Sequence, residues 1–142
     1  MKFFIDESVN LKMVRGLREV FQDHTFFYSG SDLPKSLDDV DIYPKAVELG
    51  CEVYICADIK QVRHPDRIHE RQGCRDAGLH WVGITKVPVR GRRKVLVAEF
   101  APLVAAFPYV LEDIAAAKAP QCFVLRPGLT DRQRIYDEQM PL

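Results

Sequence analysis

The chain has 142 residues, 47% of them apolar and 28% charged, with 20 basic side chains balanced by 20 acidic ones. This composition suits one ordinary globular domain with a substantial core and excludes a constitutively basic nucleic-acid coat protein. No uninterrupted apolar run nears the roughly 20 residues needed to span a bilayer, and Lys2 is followed closely by the acidic pair Asp6-Glu7, so the expectation is a cytoplasmic protein without membrane span or signal peptide.

Phe3-Phe4-Ile5 reads as a buried strand ending in Asp6 and Glu7. Val9, Met13, Val14, Leu17, Val20 and Phe21 recur at helical spacing and predict an amphipathic helix over 9–21. Thr25–Tyr28 is a short β-type run, and Ser29–Pro34 is a loop by composition. Leu37–Ile42 leads into a helix that closes at Gly50, and 53–57 is a second buried strand ending in Asp58. His64-Pro65-Asp66 starts another helix running to about Gly78, with Pro in its first turn. His80–Ile84 is a fourth strand and Pro88–Arg93 a basic loop. A helix over Val95–Phe107 is expected to break at Pro108 and resume to about Lys118. Cys122–Leu125 is a fifth strand, stopped by Arg126-Pro127-Gly128.

Strand–helix alternation of this kind implies an α/β fold with a mostly parallel central sheet of about five strands between helices, joined by right-handed crossovers. The expected division is a domain over 1–126 and a polar C-terminal tail over 127–142, mobile except where Thr130-x-x-Gln133 caps one short helix. Cys51, Cys56, Cys74 and Cys122 form no C-x-x-C pair, which predicts reduced thiols, mostly buried, rather than a zinc site. His64 and His69, five apart, do not share a helical face, and Trp81 reads as core.

Ligands of parallel sheets sit outside the carboxyl ends of the strands, so Asp6 and Asp58 would converge if their strands are neighbours. Asp39 and Asp41, at the start of the intervening helix, complete a candidate acidic site. Taken singly, Asp39 serves as a helix cap, Asp41 as a partner of the helix dipole and Asp58 as a turn residue; Asp6 has no such ready explanation. Crowded carboxylates repel, and a hard divalent cation relieves that repulsion and supports phosphodiester hydrolysis.

Asp6-Glu7-Ser8-Val9, followed by Asp39-x-Asp41-Ile42-x-x-x-Ala46-x-x-x-Gly50-x-x-Val53-x-Ile55-x-Ala57-Asp58, resembles the PIN-like nucleases, and within them the compact toxins of bacterial toxin–antitoxin pairs. The matching motifs cover about residues 1–60, and element order carries the likeness further. The resemblance implies a three-layer α/β/α PIN-like fold and an endoribonuclease using Mg²⁺ or Mn²⁺. It assigns catalysis to Asp6, Asp39, Asp41 and Asp58, with Asp6, Asp41 and Asp58 as metal ligands and Glu7 and Asn10 as accessory candidates. The implied partners are an RNA substrate and a cognate antitoxin, with a homodimer as a candidate assembly. Asp41 stands where many relatives carry the longer Glu, and the extra carboxylate that fuller PIN domains carry after the strand-end acid has no obvious counterpart.

Arg63, Arg67, Arg71 and Arg75 step by four along one side of a helix just beyond Asp58, and with Lys60 they form a candidate row for successive substrate phosphates. The alternative is a solvated face offset by Asp66, Glu70 and Asp76. Arg90, Arg92, Arg93 and Lys94 form a second basic cluster.

Other functional classes fit parts of the pattern. A catalytically inactive PIN-like module binding RNA or a protein partner would keep the same acids, and a plain interaction domain would leave them without a role. A receiver-like phospho-switch also places acids after its first and third strands, and Thr85 and Arg126-Pro127 imitate its remaining positions. Against it, Arg126 stands where Lys belongs, and about 36 residues separate Ile84 from Gln121, too many for one crossover helix.

Overall fold

The computed structural model describes residues 1–33, 37–86, 91–126 and 136–142; the side chains of Asp39, Arg92, Arg93 and Lys94 lie outside that description. Strand β1 (Lys2–Ile5) leads to α1 (Leu11–Val20), where Asn10 caps the helix by accepting the Lys12 backbone N–H on Oδ1 at 2.9 Å. Strand β2 (Thr25–Tyr28) follows, then a single turn, α2 (Ser29–Asp32), inside the segment expected as loop. Helix α3 (Asp39–Glu48) ends before Gly50, whose φ of +80° is the left-handed conformation that favours glycine at a helix exit.

Strand β3 (Val53–Cys56) is buried throughout and is followed by the short helix α4 (Lys60–Arg63), which periodicity did not announce. A 3-10 turn at Pro65–Arg67 then enters α5 (Ile68–Asp76), so the helix expected from His64 begins in the tighter form. Strand β4 (His80–Ile84), helix α6 (Arg92–Ala116), strand β5 (Gln121–Leu125) and strand β6 (Tyr136–Pro141) complete the chain.

The six strands are ordered β2-β1-β3-β4-β5-β6, with the first five parallel and β6 antiparallel to β5. Strand period two sends Phe3, Ile5, Val53, Ile55, Val82 and Phe123 to one face, where Val14 and Leu17 of α1 and Leu103, Phe107 and Val110 of α6 cover them. Phe4, Tyr54, Cys56, Trp81 and Val124 point to the other face, against Ile42, Tyr43 and Ala46 of α3 and Cys74 of α5. Gly16 lets α1 and α6 approach closely, since a Cβ there would stand 2.6 Å from the Phe100 ring.

Two expectations are corrected. Helix α6 runs unbroken through Pro102 and Pro108 for 25 residues between β4 and β5, so the length of that stretch does not argue against a single crossover helix. Pro108 faces solvent, the convex side on which a long helix lengthens its hydrogen bonds most easily. Val95–Ala116, 22 residues, is long and apolar enough to cross a membrane, yet in this fold it is the cover of the sheet, with Leu103, Ala106, Phe107, Val110 and Ile114 buried.

The second correction concerns the tail, of which Tyr136–Pro141 forms a sheet strand. A bulge between Val124 and Leu125 shifts its register, so that Tyr136 packs on one core and Met140 on the other. Arg63 binds Asp137 at 2.9 Å and Glu138 at 2.8 Å, and Arg71 donates to the Pro141 carbonyl at 2.8 Å, fastening the strand to the rest of the domain. The expected short helix at 130–133, the Pro88–Arg90 part of the basic loop and Pro127-Gly128 lie outside the described residues.

All four cysteines are free and buried, as expected. Burial raises every one of these thiols, Cys51 and Cys122 to about 12. A disulfide-exchange reagent is therefore expected to label none of them in the native protein at neutral pH and all four in denaturant. Rapid labelling of the native protein would mean that a sheet face opens readily.

Candidate functional site

Period two continues past β1, so Asp6 leaves the strand on the same face as Phe4 and turns toward Tyr54 and Cys56 of the neighbouring β3. Its backbone N–H still completes the ladder, donating to the Ile55 carbonyl at 2.9 Å. The side chain is only 4% exposed. The Tyr54 hydroxyl donates to Oδ1 at 2.7 Å, and the Ser8 backbone N–H donates to Oδ2 at 2.8 Å, an Asx turn that starts the path to α1. The Cys56 thiol approaches Oδ2 at 3.7 Å. Burial, and then the Asp6 charge, push Tyr54 and Cys56 well above their ordinary values, so both stay protonated as donors to the carboxylate.

Ser8 ties the two strand ends together. Its hydroxyl accepts the Ala57 backbone N–H at 3.0 Å and lies 3.5 Å from the Cys56 sulfur. Asp58 follows, its N–H donating to Cys56 Sγ at 3.2 Å. Oδ1 of Asp58 accepts the Lys60 N–H at 3.2 Å, starting α4, and Oδ2 accepts Arg67 Nη1 at 2.6 Å. Burial opposes ionisation of Asp58, but the Arg67 hydrogen bond and charge outweigh it and hold the carboxyl below its ordinary value. The other edge of Arg67 is occupied by Glu70, with Nε at 2.9 Å and Nη2 at 2.7 Å from its oxygens.

Two open clefts flank this pair. One, of about 680 Å³, is lined by Asp6, Glu7, Ser8, Leu11, Tyr28, Gly30, Asp58 and Gln61. The other, of about 660 Å³, shares Ser8 and Asp58 but is otherwise basic, with Lys60, Arg63, Arg67 and Lys86 beside Ile59 and Thr85. Burial, and then the Asp6 and Glu7 charges, raise Tyr28, whose hydroxyl donates to the Val9 carbonyl at 3.3 Å. Gln61 is 2% exposed and accepts the Trp81 indole N–H at 3.3 Å, so the cleft floor is braced against the core.

The structure thus brings Asp6, Glu7 and Asp58 to one cleft and Lys60, Arg63 and Arg67 to the adjoining one. It does not bring Asp41 there: that residue is exposed on the first turn of α3 and lines neither cleft. The Asp39 side chain lies outside what is described. Asn10 is committed to capping α1, Arg63 to β6, and Arg71 to the Val62 and Pro141 carbonyls. Glu70 meets Arg67 as the solvated-face alternative expects, whereas Tyr54, Gln61 and Lys86 were not named from the sequence. Tyr54 carried a usable signal, since it shares strand parity with Asp58, and Lys86 follows β4 at the same end of the sheet.

Among the described residues no group of three or more His, Cys, Asp or Glu side chains is arranged to hold a metal ion. Asp6 and Asp58, which share one open cleft with Glu7, nevertheless suit Mg²⁺ or Mn²⁺, because Mg²⁺ commonly keeps several waters and takes one or two protein carboxylates plus substrate phosphate.

Asp58 and Asp137 are both held below the ordinary carboxylate value; in Asp137 the hydrogen bonds from Arg63 and Arg126 are the main causes. A lowered folded-state value means stability that is present above the ordinary carboxylate value and lost as the pH falls through the lowered one. The urea midpoint followed by Trp81 fluorescence is expected to fall as the pH drops from about 5 toward 2, and Arg67→Gln should reduce that slope by the share due to Asp58. An unchanged slope in Arg67→Gln would mean that the pair contributes nothing in solution.

The chain matches no protein-family model, and no curated protein or solved structure is significantly similar to it.

Proposed function

We propose that this chain is a metal-dependent endoribonuclease of the PIN-like kind, a three-layer α/β/α domain acting as the toxin of a toxin–antitoxin pair. The observation that carries the reading is the meeting of Asp6 and Asp58, from adjacent parallel strands, on one cleft beside a basic one. Asp6 and Asp58 would hold the ion, with Glu7 on the same cleft wall; Asp41, outside that wall, would then act on helix α3. When bound, Mg²⁺ or Mn²⁺ supplies activation of water and stabilisation of charge on the leaving oxygen.

The protein's own groups do the positioning. Tyr54 and Ser8 fix the Asp6 carboxylate in one orientation, so its lone pairs are set before a ligand arrives. Lys60 and Lys86, on the basic cleft, supply charge for a phosphodiester backbone. An acid-walled cleft of this kind also suits an antitoxin that inserts an Arg or Lys side chain.

The test is incubation of a labelled mixed RNA pool with the purified protein in Mg²⁺, Mn²⁺ or EDTA. Metal-dependent cutting is expected. Tight Mn²⁺ binding without cutting would favour the inactive RNA- or partner-binding module, and no metal binding at all would sink the acidic-site reading.

One observation favours a second reading. The order β2-β1-β3-β4-β5 is that of flavodoxin-like sheets, including receiver domains, which place their ligand at the β1/β3 switch point. Against a phospho-switch, Asp58 is ion-paired with Arg67, Thr85 donates its hydroxyl to the Leu125 carbonyl at 2.7 Å, and Arg126 is bound to Asp137. Incorporation of phosphate from acetyl phosphate, abolished by Asp58→Asn, would establish the switch instead.

A further inference from the structure

The acidic cleft carries apolar surface that metal binding leaves unused. Tyr28 closes β2 opposite Ile5, one residue before Asp6. It lines both the cleft of about 680 Å³ and a further one of about 530 Å³, and Glu7 and Leu11 line both with it. The half-buried ring is set from two sides. Its hydroxyl donates to the Val9 carbonyl at 3.3 Å, and a Cβ on Gly30 would stand 2.8 Å from the ring edge, so glycine there leaves the ring its room. Leu11, 41% exposed at the start of α1, adds an apolar side chain to the same wall.

A cleft walled by carboxylates repels phosphate, yet it accepts an uncharged ring that carries N–H groups. Glu7 stands close to Tyr28: after burial, the charges of Asp6 and Glu7 are what raise the phenol above its ordinary value. The phosphates have a place of their own, since Lys60 and Lys86 line the adjoining cleft and the two clefts share Ser8 and Asp58. A strand whose backbone lies on the basic side therefore brings a base to the Tyr28 side.

We propose that Tyr28 is the base-stacking platform for a single-stranded RNA substrate and that Glu7 reads the stacked base as guanine. The proposal rests on the nuclease reading and names the substrate of that same site. Stacking alone takes any base, because every base has a π-face. Glu7 supplies the choice: guanine is the base that presents two adjacent donors, N1–H and the N2 amine, on one edge, and a carboxylate accepts both. The hydroxyl contact and Gly30 set the ring before substrate arrives, so little side-chain freedom is lost on stacking.

The probes are a fluorescein-labelled oligouridylate and the same strand with one central guanosine. Binding is followed by anisotropy in Ca²⁺, and a gel checks that the strands stay intact. The wild-type protein is expected to bind the guanosine strand roughly 10-fold more tightly. Tyr28→Ala should weaken both strands roughly 10-fold, and Tyr28→Phe should restore most of that loss, because the ring rather than the hydroxyl takes the base. Gly30→Ala, which keeps Tyr28 but displaces its ring, should also weaken both. Glu7→Gln should lose only the preference and bind the two strands alike. Thermal melts check folding, and Tyr28→Leu, which fills the same space on the core without a π-face, serves if Tyr28→Ala does not fold.

A folded Tyr28 variant without the ring that binds both strands as the wild type does overturns the platform. A guanosine preference that survives in Glu7→Gln overturns the guanine assignment. In both cases the wild-type protein still binds RNA, so the nuclease reading stands. A wild-type protein that binds neither strand overturns the proposal and that reading together, with the failure seen in the parent rather than in the variants.

Discussion

On the nuclease reading proposed above, Asp6→Asn is expected to abolish metal-dependent RNA cleavage while the protein stays folded. Outer-shell partners of metal ligands alone cost about 10–100-fold in affinity or activity when changed, so loss of a ligand oxygen and its charge should exceed about 10²-fold. The fold survives because an amide can still be satisfied here. Its carbonyl can accept the Ser8 N–H, and its NH₂ can face Tyr54, whose hydroxyl rotates to accept. The remaining cost is about 1–2 kcal/mol, from exchanging hydrogen bonds to a charged acceptor for neutral ones at a buried site. Asp6→Leu lacks that escape and strands the Tyr54 hydroxyl inside the core. The check is cleavage of the labelled RNA pool in Mn²⁺ beside a urea melt. Residual cutting within a few-fold of wild type would remove Asp6 from the site, and an unfolded Asp6→Asn would mark it as structural.

Phe107→Ala is expected to be the most destabilising single truncation, at about 3–5 kcal/mol. The ring is 2% exposed and meets four others, with centroid distances of 4.2 Å to Phe21, 4.9 Å to Phe3, 5.8 Å to His24 and 5.9 Å to Phe26. It joins α6 to the end of α1, to β1 and to β2. Urea denaturation followed by Trp81 fluorescence measures the loss; a value under about 1.5 kcal/mol would mean that α6 resettles over the gap. The site offers an internal control. Phe107 packs on the sheet face opposite to Asp6, so the folded fraction of this variant should bind Mn²⁺ with wild-type affinity.

Much of this fold was legible because it rests on local periodicities. Alternation along Phe3-Phe4-Ile5 and Val53–Cys56, the helical stripe through Met13, Val14 and Leu17, and the exit glycine Gly50 each follow from a repeat or a φ preference that neighbouring residues carry together. The same locality explains the errors. Pro108 reads as a helix breaker because the ring's cost is local, whereas what keeps α6 continuous is the burial of Leu103, Phe107 and Val110 on either side of it. The strand Tyr136–Pro141 reads as a polar tail because an edge strand needs only one neighbour, and its partners Arg63 and Arg71 lie some seventy residues earlier.

For the candidate site, residue type and strand ends were enough to name Asp6 and Asp58, since a carboxylate that closes an apolar strand of a parallel sheet must emerge at the crevice. That β1 and β3 are neighbours depends on strand order, a global property on which no single segment bears. So do the Tyr54 hydrogen bond to Asp6, the exclusion of Asp41 from the cleft and the sharing of Asp58 between a cleft and Arg67. The sequence by itself determined which groups are present and which end of the sheet they occupy, because those follow from short-range periodicity. Only the tertiary structure decided which of them meet, because hydrogen bonds and ion pairs act over about 3 Å and are formed between segments that the chain separates by 48 to 74 residues.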